Sequence, residues 1–310
     1  MHARFTIDCD RIPRMSAAYL RVAGDECAFV EAHTAHAVPR LLAALAEHGR
    51  RPEDVRWVVV THAHLDHAGG ASALLAACPR AKLVAHPSAA KNLIEPTKLV
   101  AGATEVYGAD RFAALYGAVD PIPAERVVAL DDGATFELGG ATLRVHHTAG
   151  HAWHPFVVDD PAIDTIFTGD AFGLVYPLLQ RAGRFAIAST SPTGFDAAEA
   201  RKSLERIVAL GRGAACLTHF DEVRDLREVA DQVGAWIDRS ERWRDEAVAR
   251  NAPLTEAKTA IEAELRAALA ADAARRRLDL SREDWELLAT DVDLNAQGLA
   301  WSASRVLAAR

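Results

Sequence analysis

Short apolar runs and stretches of helical spacing alternate through the first two thirds of the chain. Residues 17–31 read as two strands around a turn at Ala23–Glu26, and "HAVPRLLAALAEHG" (36–49) carries apolar residues at helical spacing up to the C-capping Gly49. "VRWVVV" (55–60) is a continuous apolar run, as expected of a buried strand. A helix at "GASALLAAC" (70–78) and a strand at "AKLVAH" (81–86) follow. Strand, helix, strand in this order predicts an α/β layer arrangement. Residues 87–125 are irregular, with one helical piece near Arg111–Tyr116, and read as an insertion packed near the histidine-bearing face. Strands return at "RVVAL", "ATFEL", "ATLRVHHT", "HPFVVDD" and "TIFTGD" (165–170), joined by the turns "DDGA" and "LGGA". A helix at 196–210 precedes the strand-like "AACLTHF" (214–220). Beyond Glu222 the pattern is helical almost throughout, and Ser281 with Asp284 forms a capping box. The expected division is a domain over 1–239, with the insertion at about 87–125, and a helical extension over 240–310.

Composition narrows the function classes. The net charge is −8 with no Lys/Arg block, which argues against a phosphate-tracking surface and hence against nucleic acid as a partner. The four cysteines form no CxxC pair, so neither a disulfide framework nor a thiolate zinc site is expected. No run approaches the roughly 18 apolar residues of a membrane helix, and the N-terminus has no apolar signal core. The expectation is a cytoplasmic protein acting on a small molecule, away from membranes.

The chemistry concentrates in "THAHLDHAGG" (61–70), directly after the apolar run. An extended chain would throw His62, His64 and Asp66 to one side and His67 to the other. Imidazoles and carboxylates are the usual ligands of zinc and non-haem iron. Three further candidates stand at the ends of strand-like runs: His151 in "HTAGHAWH", Asp170 in "TIFTGD" and His219 in "AACLTHF".

The ordered series H-x-H-x-D-H, GH, TGD, TH resembles the metallo-β-lactamase fold superfamily of metallohydrolases over roughly residues 15–225. The resemblance implies a four-layer αββα sandwich with metals at one edge between two sheets. It implies that His62, His64 and His151 hold one divalent ion, that Asp66, His67 and His219 hold a second, and that Asp170 bridges them. Two ions about 3.5–4 Å apart repel, so a shared carboxylate and hydroxide suit them, and the metal supplies hydroxide at neutral pH. The full set is similar to that of glyoxalase II. Asp170 and His67 stand where common metallo-β-lactamases carry cysteine and arginine. Gly173 occupies the position of the tyrosine of acyl-homoserine lactonases, and the nearest tyrosine is Tyr176. "TGD" followed by Phe172, Gly173 and Tyr176 is similar to bacterial stand-alone proteins related to the oxygen-binding diiron proteins (ODP).

The expected function is therefore a dinuclear hydrolase, zinc first and iron as the alternative. A bridging hydroxide attacks an ester, thioester or lactone, and Asp66 shuttles the proton to the leaving group. The competing reading is a diiron oxygen-binding, redox or sensor protein. Glu31 is expected to support the motif loop from behind. His33, His36, His146 and His147 are expected in structural roles, while His86, His154 and Tyr176 are open candidates for the pocket wall. The C-terminal helices would cap the pocket, form a homodimer contact, or both.

Overall fold

A computed structural model describes residues 2–190 and 194–309. In chain order the elements are β1 (His2–Asp8), β2 (Ala17–Ala23), β3 (Glu26–Val30), α1 (Val38–Glu47), β4 (Val55–Val59), α2 (Leu65–Ala68), α3 (Ala71–Ala77) and β5 (Lys82–Ala85). Then come α4 (Pro87–Ile94), α5 (Thr97–Tyr107), α6 (Ala109–Tyr116), β6 (Val127–Ala129), β7 (Thr135–Leu138), β8 (Ala141–His147), β9 (Phe156–Asp160) and β10 (Thr165–Gly169). The remainder is α7 (Ala197–Ala209), β11 (Ala214–Leu217), β12 (Asp221–Val223), α8 (Leu226–Ala249), α9 (Leu254–Arg275) and α10 (Arg282–Ala308). Among the described residues, no helix is long and apolar enough to cross a membrane.

The chain divides into two compact units. The first comprises Met1–His147, His154–Gly169 and Arg212–Arg224, and holds both sheets. One sheet runs β1-β2-β3-β4-β5-β6, antiparallel at its β1–β3 side and parallel from β3 onward. The other runs β12-β11-β10-β9-β8-β7, antiparallel except for the β10–β11 pair.

Alternation along β2 shows why the sheets stack as they do. Leu20 and Val22 face a core shared with Leu41 and Leu45 of α1 and Leu74 of α3, whereas Ala17 and Tyr19 face a second core. That second core lies between the sheets: Val30, Trp57 and Val59 meet Phe136, Val145, Phe156 and Phe167. The expected α/β sandwich is thus present, with helices covering the outer face of the first sheet. A wholly buried ion pair crosses between the sheets, where the Arg21 guanidinium of β2 donates to both carboxylate oxygens of Asp160 of β9. The Trp57 indole N–H also crosses, donating to the Glu137 carbonyl at 2.7 Å.

The second unit comprises Thr148–Trp153, Asp170–Gly211 and Asp225–Arg310. Its helices bury Val233, Trp236, Trp243, Leu265, Leu288 and Leu299. The loop after Asp170 is tied to them by polar contacts. Arg181 donates to both oxygens of Asp284, and Thr190 donates its N–H and hydroxyl to Asn295. The capping box of Ser281 and Asp284 is formed as expected. Helix α8 runs unbroken through residues 239 and 240.

Three features depart from the expected pattern. Strand β1 was not legible because only Ile7 of its residues is buried, and its pairing with β2 defines it. Strand β12 is three residues long and mostly polar, which leaves no apolar run to detect. The insertion holds three helices instead of one; α5 was missed because it buries no residue and so shows no apolar stripe.

Substituting Arg21→Met should destabilise the protein by about 3–5 kcal/mol, because it strands the Asp160 carboxylate in the core. The double variant Arg21→Met/Asp160→Leu should recover much of that loss. Urea unfolding of both proteins checks the pair.

Candidate metal centre

The motif loop begins where β4 ends. Glu31, one residue past β3, sits beside it with a positive φ of 69° and is 1% exposed. Its carboxylate accepts from the Thr61 hydroxyl at 2.5 Å, the Thr61 N–H at 3.2 Å, the Thr218 hydroxyl at 3.1 Å and His67 Nδ1 at 3.1 Å. One buried carboxylate therefore ties together the ends of β3, β4 and β11 and the start of the motif helix. The backbone closes around it. Ala32 N–H donates to the His67 carbonyl and Gly70 N–H to the His33 carbonyl. A Cβ on Gly70 would meet the Ala32 and Thr34 carbonyl oxygens at 2.5 and 2.6 Å, so only glycine permits this approach. Gly169, with φ of +52°, leaves room for the Thr61 hydroxyl in the same way.

The motif is not extended throughout. His64 is the last extended residue, and α2 turns the chain so that Asp66 and His67 lie on a short helix. Consequently His67 does not point away from Asp66. One donor atom each from Asp66, His67 and His219 lies within 4.8 Å of the others. His67 Nε2 and His219 Nε2 stand 3.6 and 3.4 Å from the same oxygen of Asp66. His62, fully buried, brings Nε2 within 2.8 Å of His64 Nδ1, and its ring lies 4.0 Å from that of His67.

The tautomers show that this donor set suits a cation. His67 Nδ1 donates to Glu31, and His219 Nδ1 donates to the Met15 carbonyl at 3.2 Å, with the Ser16 hydroxyl at 3.3 Å. Each neutral ring then presents the lone pair of Nε2 to the Asp66 carboxylate. Lone pairs facing a carboxylate repel unless a positive charge lies between them, and a divalent ion supplies it.

In the second unit, His151 and Asp170 repeat the arrangement. His151 Nδ1 donates to the Ser189 carbonyl at 3.1 Å and its Nε2 faces an Asp170 oxygen at 3.5 Å. That oxygen also accepts from the Ser189 hydroxyl at 3.3 Å. Gly150, φ +132°, lets this loop touch the backbone of Ala200 in α7.

The remaining candidates separate cleanly. His86 caps α4: its Nδ1 accepts the Ser88 N–H at 3.0 Å, and its ring lies 4.2 Å from His147. His147 in turn donates to the Leu130 carbonyl. His33 sits 3.5 Å from Asp10, and His36 donates to the Ala113 carbonyl. Tyr176 is buried in the second unit and donates to Asp291 at 3.1 Å. His154 Nδ1 is 3.4 Å from the Ala63 N–H, close to the motif loop. Sequence reasoning missed Thr61, Thr218 and Ser16, since hydroxyls that orient a ligand leave no motif of their own.

The metallo-beta-lactamase superfamily family profile matches residues 11–219. A metallo-beta-lactamase fold-containing protein, ST1585, from Sulfurisphaera tokodaii is 29% identical over 159 residues. That match spans 50% of this chain and 56% of the relative. The crystal structure of the archaeal superfamily protein ST1585 from Sulfolobus tokodaii superposes with a TM-score of 0.67 at 20% identity, covering 96% of this chain and 98% of that one. The family protein TTHA1429 from Thermus thermophilus follows at 0.64 and 18%, covering 99% and 94%. MEM-A1, a subclass B3 metallo-beta-lactamase from a soil metagenome library, reaches 0.54 at 18%, covering 76% and 91%.

Replacing Glu31 by Gln should weaken metal binding about 10–100-fold, because one of its oxygens becomes a donor facing donors. Competition with a chromogenic chelator reads this directly. A second outcome concerns pH. Burial, and then the charge of His147, push the His86 imidazole from its ordinary 6.5 down to about 4. The neutral ring is the form that caps α4, so its contribution is complete above about pH 6.5 and is lost as pH falls toward about 4. In His86→Asn, which caps without titrating, unfolding stability should fall less steeply across that window; an unchanged slope in pH-series urea melts would refute the cap.

Proposed function

The chain belongs to the metallo-β-lactamase superfamily, and from that premise we propose that it is a dinuclear metal-dependent hydrolase acting on an ester, thioester or lactone bond of a small molecule. The observation that carries this reading is the Asp66–His67–His219 cluster. Its two imidazoles are fixed in the tautomer that a metal requires, and Glu31 holds the loop beneath them. The order of the motifs supports a seven-residue ligand set. In it His62, His64 and His151 serve one ion, Asp66, His67 and His219 the other, and Asp170 both. Zinc is the first assignment.

Bound metal supplies the two things ester hydrolysis needs, an activated water and a polarised carbonyl. The protein's own groups do the rest. Glu31 fixes the proton on His67 Nδ1, so that the lone pair of Nε2 is the one turned to ligate. The Met15 carbonyl does the same for His219 and the Ser189 carbonyl for His151. Asp66 differs from these buried groups because its side chain is 43% exposed. An open carboxylate at the edge of the cluster suits the transfer of a proton to the departing oxygen or sulfur.

Chelation should abolish turnover of ester, thioester or lactone probes, and added zinc should restore it. Asp66→Ala should lower kcat at least about 10²-fold, the range expected of a lost proton shuttle. Elemental analysis of protein purified without chelator or nickel should find about two zinc per chain. About two iron with no hydrolysis of any probe would replace this reading by a diiron oxygen-binding function.

A further inference from the structure

The second unit keeps a small cavity against its two candidate ligands. His151 and Asp170 both line it, while Phe195, Ala200 of α7, and Val233 and Ile237 of α8 give it apolar walls. Val233 and Ile237 are four residues apart on one helix, so they share a face of α8, and each is buried. The centre of a water-sized group has about 10 Å³ to move in. That is room for roughly one methyl-sized group.

The loops that carry the two ligands are pressed hard onto the same two helices. A Cβ on Gly150 would meet the Ala200 nitrogen and Cα at 2.3 and 2.4 Å, and one on Gly173 would meet Val233 Cγ2 at 2.6 Å. Both glycines also have positive φ, +132° and +84°. Protein interiors hold few voids as large as a water, and a void in a core lowers stability. Here two positions give up their side chains to bring the loops onto α7 and α8, yet space remains where those helices and the ligand pair line one cavity. The ligand side of that space is fixed. Ser189 takes the His151 Nδ1 proton on its carbonyl and donates its hydroxyl to Asp170, so neither ligand is placed to turn and fill the gap.

We propose that this cavity receives the acyl chain of the substrate and limits it to a short aliphatic group of the acetyl or propionyl class, with Val233 and Ile237 setting the limit. The inference rests on the hydrolase reading. In that reading Asp66 serves the leaving group and ligates the other ion, which leaves the acyl fragment to the side of His151 and Asp170. Apolar walls suit a hydrocarbon chain, which gains by leaving water and asks for no polar partner. A longer chain has to displace packed side chains of α8, and overfilling a close-packed wall is unfavourable. The products selected are therefore short carboxylates.

Calorimetric titration of the zinc-loaded protein with acetate, propionate and hexanoate tests the cavity without turnover. Wild type should bind hexanoate at least about tenfold more weakly than propionate, the scale of discrimination a tight apolar pocket gives. Ile237→Ala enlarges the cavity and should remove most of that difference, with zinc content unchanged. Ile237→Val, which takes away a single methylene and keeps the core packed, should shift the ratio the same way by a smaller factor. The ratio of kcat/KM for 4-nitrophenyl acetate to that for 4-nitrophenyl hexanoate should fall in parallel. Hexanoate bound by wild type as tightly as propionate, no measurable carboxylate binding, or a ratio unchanged in the folded variants overturns the proposal. A wild type that hydrolyses no ester-type probe but still ranks the carboxylates by length overturns the hydrolase reading alone.

Discussion

A single buried carboxylate organises the metal edge of the first unit. Glu31 accepts from Thr61, His67 and Thr218, and so joins the ends of β3 and β4 in one sheet and β11 in the other to the helix that carries Asp66 and His67. Four donors converging on one acceptor-only group offset the desolvation of its charge. The backbone conformation at Glu31, with φ of 69°, departs from what a side-chain-bearing residue prefers, and the hydrogen bonds hold it there. The same bond that fixes the loop also fixes the tautomer of His67. Fold and chemistry therefore depend on one interaction.

The tautomer logic recurs at His219 and His151. Each gives its Nδ1 proton to a main-chain carbonyl, from Met15 and Ser189, and turns Nε2 toward an aspartate. Backbone carbonyls are better fixed than side chains, so the ring orientation follows from the chain path. Packed this way, imidazoles and carboxylates tolerate burial only with a cation among them, and this is why the donor set reads as a ligand set.

The insertion between β5 and β6 shows a different economy. Its last two helices contribute little to either core, since α5 buries nothing and α6 only Phe112, whereas α4 places Ala89, Ala90 and Leu93 in the core of the first sheet's outer face. The end of α6 is held by side chains reaching across to its carbonyls, Arg11 to Ala114 and His36 to Ala113.

Much of the sandwich was legible because its strands are short apolar runs with glycine turns, and "VRWVVV" could pack nowhere but in a core. The candidate donors stood out as well, because H-x-H-x-D-H is dense and the remaining candidates end strand-like runs. What the residues alone did not reveal was geometry that depends on distant partners. Strand β1 exists through its register with β2, and α2 bends the motif away from the extended path that alternation suggested. The cap at His86, the hydroxyls of Thr61 and Thr218, and the anchors at the end of α6 all depend on where the folded backbone brings partners together. Periodicity reports which face a residue turns toward a core, since burial repeats along the chain. It does not report which proton an imidazole keeps, because that is set by a single acceptor brought up by another segment.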